Sequence, residues 1–199
     1  MPAGELILVT GPPAVGKMTV GRAVADAGGY RLFHNHHTIE PLLDVFDFGT
    51  PQFNRLLGEF RQRVLEEAAA ADTDLVFTLV WGLDLPEDAA GMRAHLQPFV
   101  DAGRRIAFVE LYADLDTRLD RNRTPYRLAE KKSKRDLAWS ESNVRDLERY
   151  QMNTDRPSIA DPLIAEHPHL RIDNTDRTPE DVAAEILAWV GGLAPVSDR

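Results

Sequence analysis

A glycine-rich segment near the start of the chain has the residue types and spacing of a phosphate-binding loop. It reads Gly-x-x-x-x-Gly-Lys-x-Thr from Gly11 to Thr19, follows the apolar run 6–9 and precedes a helix-forming stretch. This is the strand, loop and helix context that such a loop requires. Gly11 and Gly16 can adopt dihedral angles closed to other residues, so successive N–H groups can turn inward and bind an anion at the start of the helix. The predicted nucleotide contacts here are Gly11, Pro12, Pro13, Ala14, Val15, Gly16, Lys17, Met18 and Thr19.

The residue after the loop lysine departs from the usual pattern. Met18 stands where a Ser or Thr hydroxyl commonly binds magnesium, and a thioether is a poor ligand for a hard cation. Thr19 supplies a hydroxyl one position later. We expect Thr19 to contact a phosphate oxygen, with Mg²⁺ held mainly through waters and nucleotide oxygens.

A basic segment is the second feature that could act on phosphates. Residues 118–135 hold eight Arg or Lys residues against two acidic ones, whereas the whole chain has a formal net charge of −9. Phosphoryl transfer spreads negative charge over oxygens, and cations that close over the site stabilise it and exclude water. The alternative is a solvated basic surface that forms salt bridges. We interpret Lys17 with Arg121 or Arg123 as catalytic cations, and Arg127 and Lys134 as weaker candidates.

The composition limits the class of protein. At 199 residues and 43% hydrophobic content, the chain is long enough for one well-buried domain. It has no cysteine, which excludes disulfides and thiolate metal sites. The acidic balance argues against general nucleic-acid binding, and no apolar run approaches the ~20 residues that span a membrane. We expect a soluble, cytoplasmic monomer or homodimer.

Five apolar segments alternate with helical patterns along the chain. The predicted strands are residues 6–9, 30–33, 74–81, 105–112 and 170–173. The predicted helices are residues 17–27, 39–46, 51–71, 86–102, 113–122, 135–152, 157–166 and 179–190. This alternation predicts a parallel sheet in a three-layer α/β/α sandwich, with ligands beyond the carboxyl ends of the strands. We expect one domain over residues 1–193 and a disordered tail over 194–199.

With these features, the sequence resembles the small P-loop kinases, the superfamily of shikimate kinase, gluconate kinase and the nucleoside monophosphate kinases. The resemblance covers nearly the whole chain, and Gly-Lys-Met-Thr looks like the Gly-Lys-Gly-Thr of adenylate-kinase-type loops. It implies a P-loop NTPase fold with sheet order 2-3-1-4-5, ATP and Mg²⁺ as cofactors, and a lid at about 123–136. By the same resemblance, Arg118, Arg121 and Arg123 lie at the lid hinge, where one arginine commonly stacks near the adenine and another reaches the phosphates. Asn174 and Asp176 would border the adenine, and Asp84 is a candidate in the magnesium shell.

The segment His34-Asn35-His36-His37 is where the acceptor chemistry is expected. The related sugar and shikimate kinases often place an aspartate just after strand two, and this chain has no carboxylate there. His36 or His34 could act as the base, since imidazole titrates near neutral pH, and Asp44 or Asp47 could do so instead. A zinc site and a purely structural role for the imidazoles are the alternatives. The predicted acceptor contacts are His34, Asn35, His36, Arg61, Trp81 and Arg127, although Trp81 could equally be a packing residue.

These patterns favour an ATP-dependent kinase that transfers the γ-phosphoryl group to a small molecule, and the expected acceptor group is a hydroxyl of a metabolite or antibiotic-like compound. A nucleoside or nucleotide kinase is the first alternative. A nucleotide-binding regulator with little turnover is the second, and the basic segment argues against it.

Overall fold

The computed structural model describes residues 4–123 and 137–194. Most of the predicted lid, with Arg127 and Lys134, lies outside the described residues. Residues 195–199 of the predicted tail do so as well.

One parallel sheet of five strands forms the centre of the described chain. The strands are β1 (Glu5–Thr10), β2 (Arg31–His34), β3 (Leu75–Thr78), β4 (Arg105–Tyr112) and β5 (His169–Asp173). They lie in the order β2-β3-β1-β4-β5, with all four pairings parallel. The predicted α/β class and strand order are therefore confirmed. All six residues of β1 are buried, as expected for a central strand covered on both faces.

Helices cover both faces of this sheet. They are α1 (Lys17–Gly28), α2 (His36–Leu43), α3 (Pro51–Ala70), α4 (Pro86–Asp101), α5 (Leu115–Asn122), α6 (Leu137–Asp146), α7 (Asp161–Ala165) and α8 (Pro179–Gly191). Side chains alternate along β1, so Ile7 and Val9 pack with α1 and α8 on one face. Leu6 and Leu8 pack with α3, α4 and α7 on the other. No helix among residues 4–123 and 137–194 is long and apolar enough to cross a membrane.

Several element bounds differ from the sequence-based prediction, and the helix predicted over 157–166 spans only Asp161–Ala165. Three other differences lie closer to the site. The strand predicted at 74–81 is shorter and spans Leu75–Thr78. Leu79 N–H still donates to the carbonyl oxygen of Val9 at 3.2 Å, and Leu79 and Trp81 are buried in the loop that follows. The helix predicted from residue 39 begins at His36, inside the histidine-rich segment. The helix predicted over 135–152 ends at Asp146 and is followed by a short 3₁₀ turn, Leu147–Arg149.

Candidate functional site

The predicted phosphate-binding loop, called the phosphate loop below, is a tight backbone turn between β1 and α1. Gly11 has φ 128° and Gly16 has φ 109°, and Ala14 is also left-handed at φ 62°. A Cβ on Gly11 would lie 2.3 Å from the carbonyl oxygen of Leu111, so no other residue fits there without a shift of β4. Such a series of turned peptide units next to a helix N-terminus is the backbone geometry that binds phosphate.

Lys17 places its ammonium group at the beginning of this loop. Its Nζ donates to the carbonyl oxygens of Gly11 and Pro12, at 2.7 Å each. The hydroxyl of Thr19 donates to the carbonyl oxygen of Gly16 at 2.8 Å, whereas the side chain of Met18 is buried. The hydroxyl and the ammonium group are therefore both held against the loop.

Arg121 and Asn174 connect the phosphate loop to the turn after β5. The carbonyl oxygen of Val15 accepts from Arg121 Nη1 and from Asn174 Nδ2, at 2.9 Å each. Arg121 Nη2 also donates to the carbonyl oxygens of Asn174 and Thr175, at 2.7 and 3.0 Å. Burial lowers the pKa of Arg121, and the charges of three nearby aspartates, including Asp176, act in the opposite direction. The predicted nucleotide residues Arg121 and Asn174 thus lie together with the loop, and Asp176 is exposed on the same turn.

The other two predicted hinge arginines point elsewhere. Arg118 is 4% exposed, donates from Nε to the carbonyl oxygen of Ala113 at 3.1 Å and pairs through Nη2 with Glu148 at 2.7 Å. Arg123 is exposed and pairs with Glu141 on α6 at 2.6 Å. The described contacts therefore bring Arg121 to the phosphate loop and direct Arg118 and Arg123 toward the chain that follows residue 136.

The histidine segment forms the end of β2 and the first turn of α2. His34 is buried, and its ring lies 3.6 Å from that of His37, centroid to centroid. His36 Nδ1 lies 3.1 Å from Glu40 Oε1, one helical turn later. Glu40 was missed in the sequence because α2 was expected to begin at residue 39. The i, i+4 spacing of a His and a Glu would have identified the pair on a helix that starts at His36.

Arg61 on α3 reaches the same segment. It donates to Asn35 Oδ1 at 2.5 Å and to Thr38 Oγ1 at 3.5 Å, and its Nε is buried with no partner among the described residues. Burial lowers the pKa of Arg61 to about 10. It also lowers that of neighbouring His95 to about 4, helped by the charge of Arg61. His95 is therefore neutral at pH 7, and the positive charge here belongs to Arg61.

The described contacts of Trp81 and Asp84 are with the core and with the backbone, respectively. The ring of Trp81 is 3% exposed and packs 6.3 Å from that of Phe108 in the core, which corresponds to the packing alternative for this residue. Asp84 Oδ1 accepts from the backbone N–H of Gln151 at 3.1 Å. That bond anchors the segment after α6 to the chain that follows β3, and a role of Asp84 in the magnesium shell stays a prediction.

The segment 151–154 bonds to the chain after β3 and to Glu110 on β4, and no pattern in the sequence predicted these contacts. Leu83 N–H donates to the carbonyl oxygen of Gln151 at 2.7 Å. The buried carboxylate of Glu110 accepts from the Asn153 amide and from both N–H and hydroxyl of Thr154. Burial acts to raise the pKa of Glu110, and hydrogen bonds, first from His169, outweigh it so that the pKa is lowered.

No three His, Asp or Glu side chains converge as a metal site within residues 4–123 and 137–194. The zinc alternative for the histidine segment therefore has no support there. The rings of His34 and His37 instead pack against each other with their planes tilted by 33°.

Comparison with known proteins gives structural relatives only. No family model and no curated protein sequence matches the chain. Shikimate kinase from Acinetobacter baumannii in complex with shikimate is 23% identical, with 96% of each chain covered and a TM-score of 0.60. The Mycobacterium tuberculosis APS kinase in complex with AMPPNP and APS is 17% identical, covering 96% of this chain and 100% of that one, with a TM-score of 0.56. A gluconokinase from Sinorhizobium meliloti is 14% identical, covering 96% and 94%, with a TM-score of 0.55. The resemblance noted in the sequence is thereby confirmed for the architecture: this chain has the fold of the small P-loop kinases.

Proposed function

We propose that the protein is an ATP-dependent kinase that transfers the γ-phosphoryl group to a hydroxyl of a small molecule, such as a metabolite or an antibiotic-like compound. The observation that carries this proposal is the left-handed loop at Gly11, Ala14 and Gly16, with Lys17 beside it, at the end of the central strand of a kinase-type sheet. The fold shared with shikimate kinase and APS kinase supports it.

The nucleotide would bind along the loop and the Arg121–Asn174 contact. Its phosphate oxygens would replace the carbonyl oxygens of Gly11 and Pro12 as hydrogen-bond partners of the Lys17 ammonium group. Its base would lie beside the turn that carries Asp176. The oxygen ligands near the loop fit a Mg²⁺ ion that binds together with ATP. Thr19 offers one hydroxyl oxygen, and Mg²⁺ usually keeps several waters and phosphate oxygens as its other ligands. Bound Mg²⁺ would neutralise charge on the phosphates. We retain Arg123 and Arg127 as proposed lid cations.

The acceptor would lie next to the end of β2, where His36 is the proposed base. In a neutral ring whose Nδ1–H donates to Glu40, Nε2 is the basic nitrogen. Nε2 would take the proton of the acceptor hydroxyl as its oxygen forms a bond to the γ-phosphorus and the bond to the β-phosphate oxygen breaks. Since the transition state is loose, His36 also serves to position the acceptor.

Arg61 favours an acceptor that carries an anionic group. Its guanidinium is largely buried, and the hydrogen-bond partners that the structure describes for it, Asn35 and Thr38, are both neutral. A carboxylate or phosphate of the acceptor would supply the missing negative charge. A nucleoside monophosphate also meets this requirement, so a nucleotide kinase is the second candidate function.

The proposal is tested by acceptor-dependent ADP release across sugars, nucleosides, nucleoside monophosphates, hydroxy acids and aminoglycoside-like compounds. Lys17→Ala should abolish both turnover and stabilisation by ATP, and the matched change Arg22→Ala, at an exposed position of the same helix, should leave both near wild type. Tight ATP binding without any acceptor-dependent turnover would favour the regulator instead. Unchanged behaviour of Lys17→Ala would reject the loop assignment.

We further propose that residues 1–193 form one domain, and that the protein acts in the cytoplasm as a monomer or homodimer without nucleic-acid partners. Size-exclusion chromatography with light scattering would measure the oligomeric state.

A further inference from the structure

Helices α5 and α6 form an antiparallel pair whose register is set by a polar contact at each end. The hydroxyl of Ser140 donates to Asn122 Oδ1 at 3.0 Å, and both residues are 1% exposed. Further along the chain, Glu148 in the 3₁₀ turn after α6 pairs with Arg118 at 2.7 Å. The partners on α5 thus run backward as the chain of α6 runs forward. Because buried polar groups must keep their partners, the two contacts fix how α6 lies along α5.

Between these two contacts, α6 has one narrow buried stripe. Within residues 140–146 only Ser140 and Val144 are buried, and they lie one helical turn apart on the same face. Val144 joins Leu119 of α5 and Ala14 of the phosphate loop in a small apolar cluster. Among the described residues, neither of the two large clusters that flank the sheet includes a residue of α6. The packing of α6 is therefore directed at α5 and the phosphate loop, and not at the sheet.

Ala14 is the residue through which this cluster reaches the phosphate loop. Its φ of 62° is left-handed, a conformation that costs a non-glycine residue free energy and persists only where the surroundings hold it. Its side chain is buried in the cluster. The next residue, Val15, is held through its carbonyl oxygen by Arg121 of α5. Two consecutive residues of the loop therefore take their position from α5, and α5 is held in turn by α6.

We propose that Val144 and Leu119 are positioning residues of the nucleotide site, which hold the phosphate loop in its anion-binding shape through Ala14 and couple α6 to bound nucleotide. Such a loop works through several N–H groups aimed at one point, so a small shift of its backbone weakens all of them together. Because coupling between two sites is reciprocal, ATP stabilises the packing of α6 on α5 in return. The inference rests on the proposed nucleotide site and does not depend on the acceptor.

The first test measures ATP affinity by calorimetry in Val144→Ala, which removes most of the side chain that α6 contributes to the cluster. ATP binding should weaken about three- to thirty-fold, the range for residues that act on a ligand through others. Leu119→Met conserves volume and should keep an affinity close to that of wild type.

Val190→Ala is the matched control for Val144→Ala. Val190 is also buried, and it lies in the last turn of α8, roughly 16 Å along that helix from its first residue. Urea unfolding should show a similar loss of stability in the two variants, because each leaves a cavity of the same size in a packed region. Only Val144→Ala should lose affinity for ATP, which separates a positioning role from core packing alone.

The second test follows the amide hydrogens of α6 by hydrogen exchange and does not depend on the folding of Val144→Ala. Saturating ATP should slow exchange in α6 of the wild type. Ala14→Gly removes the side chain that joins the loop to the cluster, and glycine adopts the left-handed backbone without cost. In this variant ATP binding should weaken, and saturating ATP should no longer protect α6.

Lys17→Ala is measured in parallel to separate this inference from the nucleotide site itself. Wild-type ATP affinity in Lys17→Ala would reject the phosphate loop and the positioning role with it. Loss of ATP binding in Lys17→Ala together with wild-type affinity in Val144→Ala would overturn the positioning role alone. Full protection of α6 by ATP in Ala14→Gly, or an equal loss of ATP affinity in Val190→Ala, would overturn it as well.

Discussion

Arg121 and Asn174 donate to the same backbone oxygen, that of Val15, at 2.9 Å each. One residue comes from α5 and the other from the turn after β5, so the shape of the phosphate loop depends on two distant parts of the chain. The pairing explains why Asn174 is almost fully buried although it lies on a turn.

The first prediction concerns this shared acceptor. Asn174→Ala should weaken ATP binding about three- to ten-fold, since one net hydrogen bond contributes roughly 0.5–1.5 kcal/mol. Arg121→Met should weaken it more, because it also removes a positive charge near the loop. Calorimetric titration with ATP gives the values. Arg177→Ala is the control. Arg177 lies on the same turn as Asn174 and pairs with Glu185 on α8, so its loss should leave the affinity for ATP unchanged. Equal affinities for all three variants would contradict the prediction.

The second prediction separates catalysis from binding at α2. His36→Ala should lower kcat by about 10²- to 10⁴-fold if His36 accepts the hydroxyl proton, with ATP affinity nearly intact. Glu40→Gln keeps the shape of the pair and removes its charge, so kcat should fall less. His37→Ala removes the adjacent imidazole as a comparison. Steady-state kinetics with the identified acceptor distinguish the three. Normal kcat in His36→Ala would return that residue to a structural role.

The third prediction concerns Arg61, whose buried charge costs folding stability and would bind an anionic acceptor. Burial of this charge opposes folding, as its lowered pKa of about 10 indicates. Arg61→Met should therefore change the free energy of unfolding by no more than about 1 kcal/mol, in either direction, without acceptor. It should raise KM for an anionic acceptor at least ten-fold with a smaller change in kcat. Arg63→Met, at an exposed position of α3 beside Glu66, is the control. A large loss of stability together with unchanged KM would make Arg61 a structural residue.

The fourth prediction concerns acid stability and Glu110. Its pKa is lowered in the folded chain, so its stabilising effect is fully present above its unfolded pKa and is lost as pH falls through the folded pKa. Glu110→Gln should reduce stability by about 1–3 kcal/mol at pH 7, because the surrounding donors lose a charged acceptor. The difference from wild type should shrink as pH falls below 4. Urea unfolding between pH 3 and pH 7 measures both effects.

Glu166→Gln is the matched control for that series. Glu166 is exposed and pairs with Arg93 at 2.9 Å, so its loss should alter stability by less than about 1 kcal/mol. A pH dependence of Glu110→Gln identical to that of wild type would show that Glu110 does not carry the acid sensitivity.

The strands and the phosphate loop could be predicted because their signals are local. The run Leu6 to Val9 is apolar and β-branched, and Gly11 and Gly16 mark the turn that follows it. The strand order came from the family resemblance, and the structure confirms it. These features depend on residues that are close together in sequence or on a pattern repeated along the chain.

The contacts that shape the site could not be predicted, because they depend on direction and on distant partners. Arg118 and Arg121 are three residues apart on α5, yet Arg118 contacts Glu148 and Arg121 contacts Val15. Sequence spacing does not say which packed neighbour each one meets. Asn153 and Glu110 are separated by 43 residues, and only the folded chain brings them together.

The segment 151–154 has a consequence for the cooperativity of unfolding. It is bonded to Leu83 and Asp84 after β3 and to Glu110 on β4, and these two strands flank β1. Separating it from the sheet would expose the Glu110 carboxylate and the edge on which the phosphate loop rests. The amide hydrogens of Gln151 and Thr154 should therefore exchange with solvent in the same unfolding unit as the central strands. We expect the chain beneath the phosphate loop to open together with the core and not as an independent flap.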